Sequence, residues 1–177
     1  MVIDKFLYNT MDSIVYENTK SEVYANQNKE RAYICGVSSL LKFYPIKEIT
    51  LSIYLNYTYG RVLTDSITQP LGHIPPFMTR YQLSYCKNRF TSYFFIIANG
   101  EKKISAYRLN GEDNENYATA IGMPAWITLN LRLNYTLFKS TALTIGMENL
   151  LDTQYRTFAS GINAPGRSIF GSLRVNF

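Results

Sequence analysis

The run Trp126–Phe138, WITLNLRLNYTLF, restricts the fold more than any other part of this chain. Its odd positions are Ile127, Leu129, Leu131, Leu133, Tyr135 and Leu137, and its even positions are Thr128, Asn130, Arg132, Asn134 and Thr136. Apolar and polar residues alternate without a break, which is a period of two and not the 3.6 of a helix. Such a segment is a strand with one greasy face and one wet face. Ordinary globular strands run about five or six residues, whereas a tilted strand needs roughly nine to eleven to cross a bilayer. Trp126 at one end and Tyr135 with Phe138 at the other sit where membrane interfaces favour aromatic rings. The expectation is a transmembrane β-strand whose apolar side meets lipid.

Composition supports that expectation. No apolar run reaches about 18 residues, so a bundle of membrane helices is excluded. Strand barrels hide from hydropathy because their two faces cancel. Aromatic residues make up 15%, with 15 Tyr and 10 Phe, a supply that suits interfacial girdles better than a plain soluble core. The net charge of +5 is spread singly and forms no basic patch, so nucleic acid is not an expected partner. Cys35 and Cys86 have no metal-ligand spacing, and strand parity puts them on opposite faces, so free thiols are expected. The opening MVIDKFLYNT is not a secretory signal, because no basic start leads into an apolar run. An outer-membrane protein needs one, so either the chain is a fragment or the membrane reading fails.

Taken in order, the sequence predicts eight strands. The first is Val2 to Tyr8, followed by a polar stretch from Asn9 to Lys29. The second is Arg31 to Tyr44, with Tyr33, Cys35, Val37, Leu41 and Phe43 on one side, and a turn at Pro45 to Glu48. The third, Ile49 to Gly60, repeats the alternation, and a loop from Arg61 to Pro76 follows. The fourth is Phe77 to Cys86 and the fifth Phe90 to Asn99, the latter nearly all apolar and of undetermined phase. A long stretch from Gly100 to Met123 precedes the run described above, the sixth strand. The seventh is Ala142 to Asn149 and the eighth Arg167 to Phe177, separated by a loop from Asp152 to Gly166. Long and short connections alternate, so all tall loops lie at one rim, as in outer-membrane barrels. The fold class is all-β: an antiparallel up-and-down transmembrane β-barrel segment.

Parity points Arg80, Arg132, Glu148 and Arg174 into the lumen. Arg132 and Glu148 are equidistant from Ser140, so they should face one another across the sixth and seventh strands. Tyr107, Arg108, Tyr155, Arg156 and Arg167 fall in or beside the long loops. Rings and guanidinium groups there suit an anionic or flat ligand, or else interfacial packing. His73, the single histidine, sits in a loop beside Pro75 and Pro76. No nucleophile elbow, paired-histidine metal motif or phosphate loop is present in the sequence, so no catalytic residue, metal or cofactor is assigned.

The last third resembles the C-terminal end of TonB-dependent outer-membrane receptors. The likeness rests on Glu148-Asn149-Leu150-Leu151-Asp152, then Tyr155-Arg156, then Gly161 to Arg167 with its Pro-Gly-Arg, and a final strand ending in Phe177. Leu71 to Pro76 is similar to a P-L-x-x-[IV]-P-P stretch of the same receptors. The resemblance implies an incomplete part of a 22-stranded barrel. It implies that residues 1–177 are the C-terminal barrel portion, with the N-terminal plug and the remaining strands elsewhere. The partners it implies are outer-membrane lipid and the TonB energy-coupling system, and the ligand class a ferric siderophore, haem or cobalamin. Two other readings compete. A self-contained eight-stranded barrel with a structural or adhesive role would need its first and eighth strands to pair. An outer-membrane hydrolase would need His73 beside a serine.

Overall fold

The computed structural model describes residues 2–16, 19–63, 67–107 and 118–176, and for 2–30 it describes the backbone pairing alone. Eight long strands pair in chain order, each antiparallel to the next. They are β1 (Val2–Tyr16), β2 (Thr19–Ile46), β3 (Ile49–Leu63), β4 (Met78–Lys87), β5 (Phe90–Asn99), β6 (Trp126–Phe138), β7 (Thr141–Glu148) and β8 (Ser168–Val175). No helix among the described residues is long and apolar enough to cross a membrane. The sheet is open: β1 and β8 lie at its two ends and do not pair. The seam that a small closed barrel requires is therefore not made.

One face of this sheet is apolar from end to end. Cross-strand partners point to the same side, so the register Phe43↔Leu51↔Leu83↔Phe94↔Leu131↔Met147 traces a continuous row over six strands. A second row runs Leu41↔Ile53↔Tyr81↔Ile96↔Leu129. Many of these side chains lie open: Val37, Leu41, Phe43 and Leu173 are 57 to 65% exposed. Large contiguous apolar surface is not found on a water-soluble monomer, and here it is the lipid face. The opposite face carries Ser52, Gln82, Asn130, Arg132, Asn134 and Thr144 and is the lumen wall. Cys35 falls in the lipid-facing phase and Cys86 in the lumen phase, and both are free.

The pairing also assigns the phase of β5. Phe94 and Ile96 face lipid opposite Leu131 and Leu129, whereas Phe95 and Ile97 face the lumen opposite Asn130 and Thr128. Phe95, the ring that alternation alone left open, is buried at 6% exposure.

Four sequence expectations are corrected. The polar stretch Asn9–Lys29 is not a loop: β1 and β2 pair out to Tyr16↔Thr19, so the hairpin extends far past the lipid-facing rows. Backbone ladders need no apolar face once they leave the bilayer, so alternation under-reads them. Pro45 and Ile46 belong to β2, with a register shift between Phe43 and Ile46, and the turn narrows to Lys47-Glu48. Proline cannot donate to the ladder, which places it at an irregularity. Trp126 is not on the lipid face: it pairs with Asn99 in the lumen phase and turns inward at the rim. Finally, Arg132 faces Gly146 and not Glu148. The turn is centred between Lys139 and Ser140, and an irregularity between Thr141 and Ala142 shifts the register by one more residue, two in all relative to a hairpin symmetric about Ser140.

The short turns lie at one rim, at Lys47-Glu48, Asn88-Arg89 and Lys139-Ser140. Tyr85 and Phe90, with centroids 6.3 Å apart, and Tyr135 mark that interface on the lipid side. At the loop rim Tyr33 and Tyr59 do the same. From Ile49 to Tyr59 the strand climbs roughly 33 Å along its own axis, or about 25 Å across the bilayer after tilt. That matches the height of an outer-membrane apolar band.

Candidate functional site

The tall loops are tied down by a few side chains. Asn149 leaves β7 at φ 52 and is only 3% exposed. Its backbone N–H donates to Asn130 Oδ1 at 3.0 Å, and its Nδ2 donates to the carbonyls of Thr153 at 2.9 Å and Pro165 at 3.4 Å. Its Oδ1 accepts the Thr153 N–H at 2.9 Å. Asp152, at φ 54, accepts the Arg167 N–H through Oδ1 at 2.8 Å. A side chain at Gly166 would stand 2.7 Å from that oxygen, so only glycine admits the approach. The Asn-Leu-Leu-Asp and Pro-Gly-Arg elements are thus the two feet of one loop, joined by amide and carboxylate hydrogen bonds.

A second knot holds the loop after β3. Leu71 and Ile74 pack on Ala32 and Val62 at the lumen side of the rim. The Leu71 N–H donates to the Gly60 carbonyl at 3.2 Å, and Gly60 has no room for a side chain, because a Cβ would meet Ile74 at 2.8 Å. Lys102 is 5% exposed and donates to the Ile74 carbonyl at 2.7 Å. Its ammonium lies 4.1 Å from the Phe158 ring and 4.8 Å from that of Tyr107. One lysine therefore touches three loops. Sequence reasoning passed over it, because a lysine in a Glu-Lys-Lys loop reads as solvated and only the chain's return brings rings around it.

Between these loops is a cavity of about 290 Å³, with Tyr107, Met123, Trp126, Tyr155, Arg156 and Asn163 among its walls. Trp126 and Tyr155 stack with centroids 4.2 Å apart and planes inclined at 35°. The Trp126 Nε1 is buried with no acceptor among the described atoms. Arg156 donates to Asn163 Oδ1 from Nε at 3.2 Å and from Nη2 at 3.0 Å. Tyr107, Tyr155 and Arg156 thus line one cavity. Arg167 is exposed and stands outside that cavity, and Arg108 lies outside the described residues. His73 is exposed at the bend of its loop, with φ 60.

Below the rim the lumen wall forms a shallow concavity of about 640 Å³ lined by Arg80, Arg132, Arg174, Tyr93, Phe95 and Phe170, among others. Arg80 donates to Gln82 Oε1 at 2.6 Å, and Gln82 Nε2 donates to Ser84 Oγ at 2.9 Å. The Arg80 guanidinium lies 4.1 Å from the Phe95 ring. Arg132 Nη2 is 3.4 Å from Glu148 Oε1, so the expected pair forms, but diagonally. Gly146 is what permits this geometry: the Phe170 ring fills the space where a side chain would stand, and Arg132 sits 5.5 Å from it. Among the described residues, no cluster of His, Cys, Asp or Glu could hold a metal ion.

The arrangement is that of a wall segment of a transmembrane strand barrel, greasy outside and basic and aromatic inside. No family model and no curated protein matches the sequence. Solved structures do. The chain superposes on the copper transporter OprC with a TM-score of 0.78 at 16% identity, covering 99% of this chain and 27% of that one. It matches the ferric enterobactin receptor PfeA of Pseudomonas aeruginosa, a variant solved with enterobactin, with a TM-score of 0.70 at 18% identity over 99% of this chain and 28% of that one. A second variant of that receptor gives 0.68 at 18% identity, covering 97% and 27%. The fold is that of an outer-membrane β-barrel segment of the TonB-dependent receptor type. These 177 residues span little more than a quarter of the length of the proteins they match.

Proposed function

We propose that residues 1–177 are the C-terminal barrel portion of an outer-membrane receptor that takes up a scarce nutrient of the ferric siderophore, haem or cobalamin class. The open sheet, matching a quarter of a transporter along nearly its whole length, carries this reading. The chain on these terms contributes wall and loops, and the plug and remaining strands come from elsewhere. The inward surface agrees with a plug: Leu40, Tyr54 and Met78 face the lumen yet are 49, 38 and 44% exposed. Apolar side chains in a water-filled lumen gain from being covered. TonB supplies the energy coupling in the intact receptor.

Tyr107, Arg108, Tyr155, Arg156 and Arg167 are the candidate ligand contacts at the loop rim. Trp126 joins them, since it lines the same cavity as Tyr107, Tyr155 and Arg156 and its buried indole N–H has no acceptor among the described atoms. Arginine and tyrosine edges suit the carboxylate, phenolate or propionate oxygens of such ligands. The test is uptake of labelled ligand by cells expressing the full-length receptor. Arg156→Ala combined with Arg167→Ala should lower uptake severalfold while surface expression holds. Residues 1–177 expressed alone in a receptor-deleted strain should restore none. Full uptake by cells carrying only this chain would refute the reading.

A further inference from the structure

We propose that the lipid-facing side of the β2–β3 hairpin, at its loop rim, is a binding site for the phosphate of a membrane lipid headgroup. The site is formed by Arg31 and Arg61 on a platform of Tyr33 and Tyr59. It goes beyond nutrient uptake and depends only on the chain's spanning a membrane.

Parity puts the four side chains together. Tyr33 is directly opposite Arg61, and Arg31 lies two residues further along β2, opposite Leu63. The register from Arg31↔Leu63 to Phe43↔Leu51 is unbroken, so this quartet shares the face of Val37, Tyr57, Leu41 and Phe43. That face is the lipid face. Tyr33 and Tyr59 have ring centroids 6.1 Å apart. The Arg61 guanidinium lies over the Tyr59 ring, 4.7 Å from its centroid. Arg31 and Arg61 are diagonal neighbours across the ladder, about 7–8 Å apart at the backbone.

Two like charges at that spacing repel each other unless an anion lies between them. None of the ion pairs seen among the described residues supplies a carboxylate to either arginine. A guanidinium stacked on a ring keeps its N–H edges free in the ring plane, the geometry that grips phosphate oxygens. Height decides which anion this is. Arg61 stands two residues above Tyr59, roughly 7 Å beyond the aromatic girdle. Lipid headgroups occupy that level. A solute in the lumen is on the other side of the sheet. A soluble protein meets the surrounding lipid before it meets this face. A lipid phosphate is the occupant that remains.

The experiment uses the full-length protein carrying this chain, extracted from outer membranes in a nonionic detergent. Native mass spectrometry would measure retention of dihexanoyl phosphatidic acid, of dihexanoylglycerol with the same tails, and of inorganic phosphate. The phosphatidic acid should be retained severalfold more than the neutral lipid. Arg31→Gln and Arg61→Gln should each weaken its retention by roughly fivefold. Arg61→Lys should fall between, keeping charge but losing the stacked fork. Equal retention of anionic and neutral lipid by the unaltered protein would overturn the proposal. So would unchanged retention in either glutamine variant that migrates as a folded barrel. Displacement of the lipid by inorganic phosphate at equal concentration would mean a free-anion site and would overturn the lipid assignment. Should the variants fail to fold, the comparison of lipids on the unaltered protein still decides.

Discussion

Gly146 and Asn149 lie three residues apart and stabilise the wall in opposite ways, one by having no side chain and the other by using all of one. At Gly146 the Phe170 ring occupies the space of the missing Cβ, so any larger residue must push the ring into the lumen. Gly146→Val should therefore cost about 1–3 kcal/mol, the usual range for overpacking, read as a lower heat-modifiability midpoint of the folded receptor on gels. Asn149 is buried, sits in the left-handed region at φ 52 and makes four hydrogen bonds through its N–H and amide. Asn149→Ala leaves carbonyls and N–H groups unpaired, at about 1–3 kcal/mol for a buried group, and also strains the backbone. Asn149→Gly removes the strain but not the lost bonds, so limited proteolysis of the 150–166 loop should be fastest in the alanine variant and intermediate in the glycine one.

Strands and their pairing carry the next level. The lipid rows of β2 to β6 pass through Ile53, midway between the aromatic levels at Tyr85 and Tyr57. An arginine there would enter hydrocarbon, so Ile53→Arg should destabilise by roughly 2–4 kcal/mol, the midplane figure for a barrel. Ser38→Arg, at an exposed position on the lumen side of the neighbouring strand, should be close to neutral, since water reaches it. Urea midpoints of the two variants in detergent test the assignment of faces: equal effects would refute it, and a larger loss from the lumen-side variant would mean that the sheet is inside out. The Arg132–Glu148 pair belongs to the same level. Its side chains are 44 and 47% exposed, so solvent screens the attraction. A double-mutant cycle should return only about 0.2–1 kcal/mol, falling as salt rises.

At the scale of the molecule, the open sheet dominates. Among the described residues, the outer edges of β1 and β8 present backbone groups with no partner strand. In lipid, each unsatisfied group costs several kcal/mol. Residues 1–177 refolded alone in detergent should therefore form heterogeneous oligomers by size-exclusion chromatography. A heat-resistant monomer would mean that the two edges had met. The loops point the same way, because Lys102 and Asn149 draw separate connections toward one rim.

Alternation in Trp126–Phe138 and in Ile49–Tyr59 was enough to determine those two strands and their two faces. A period of two is a local property, and lipid on one side with water on the other leaves it written in the residues. Tertiary structure decided what depends on distant partners. The phase of the nearly all-apolar β5 came from its neighbours. The two-residue shift that makes Arg132 meet Glu148 diagonally, and the aromatic surroundings of Lys102, arose the same way. None of these leaves a periodic trace, because each is set by a strand or loop that returns from far along the chain and not by the residues on either side.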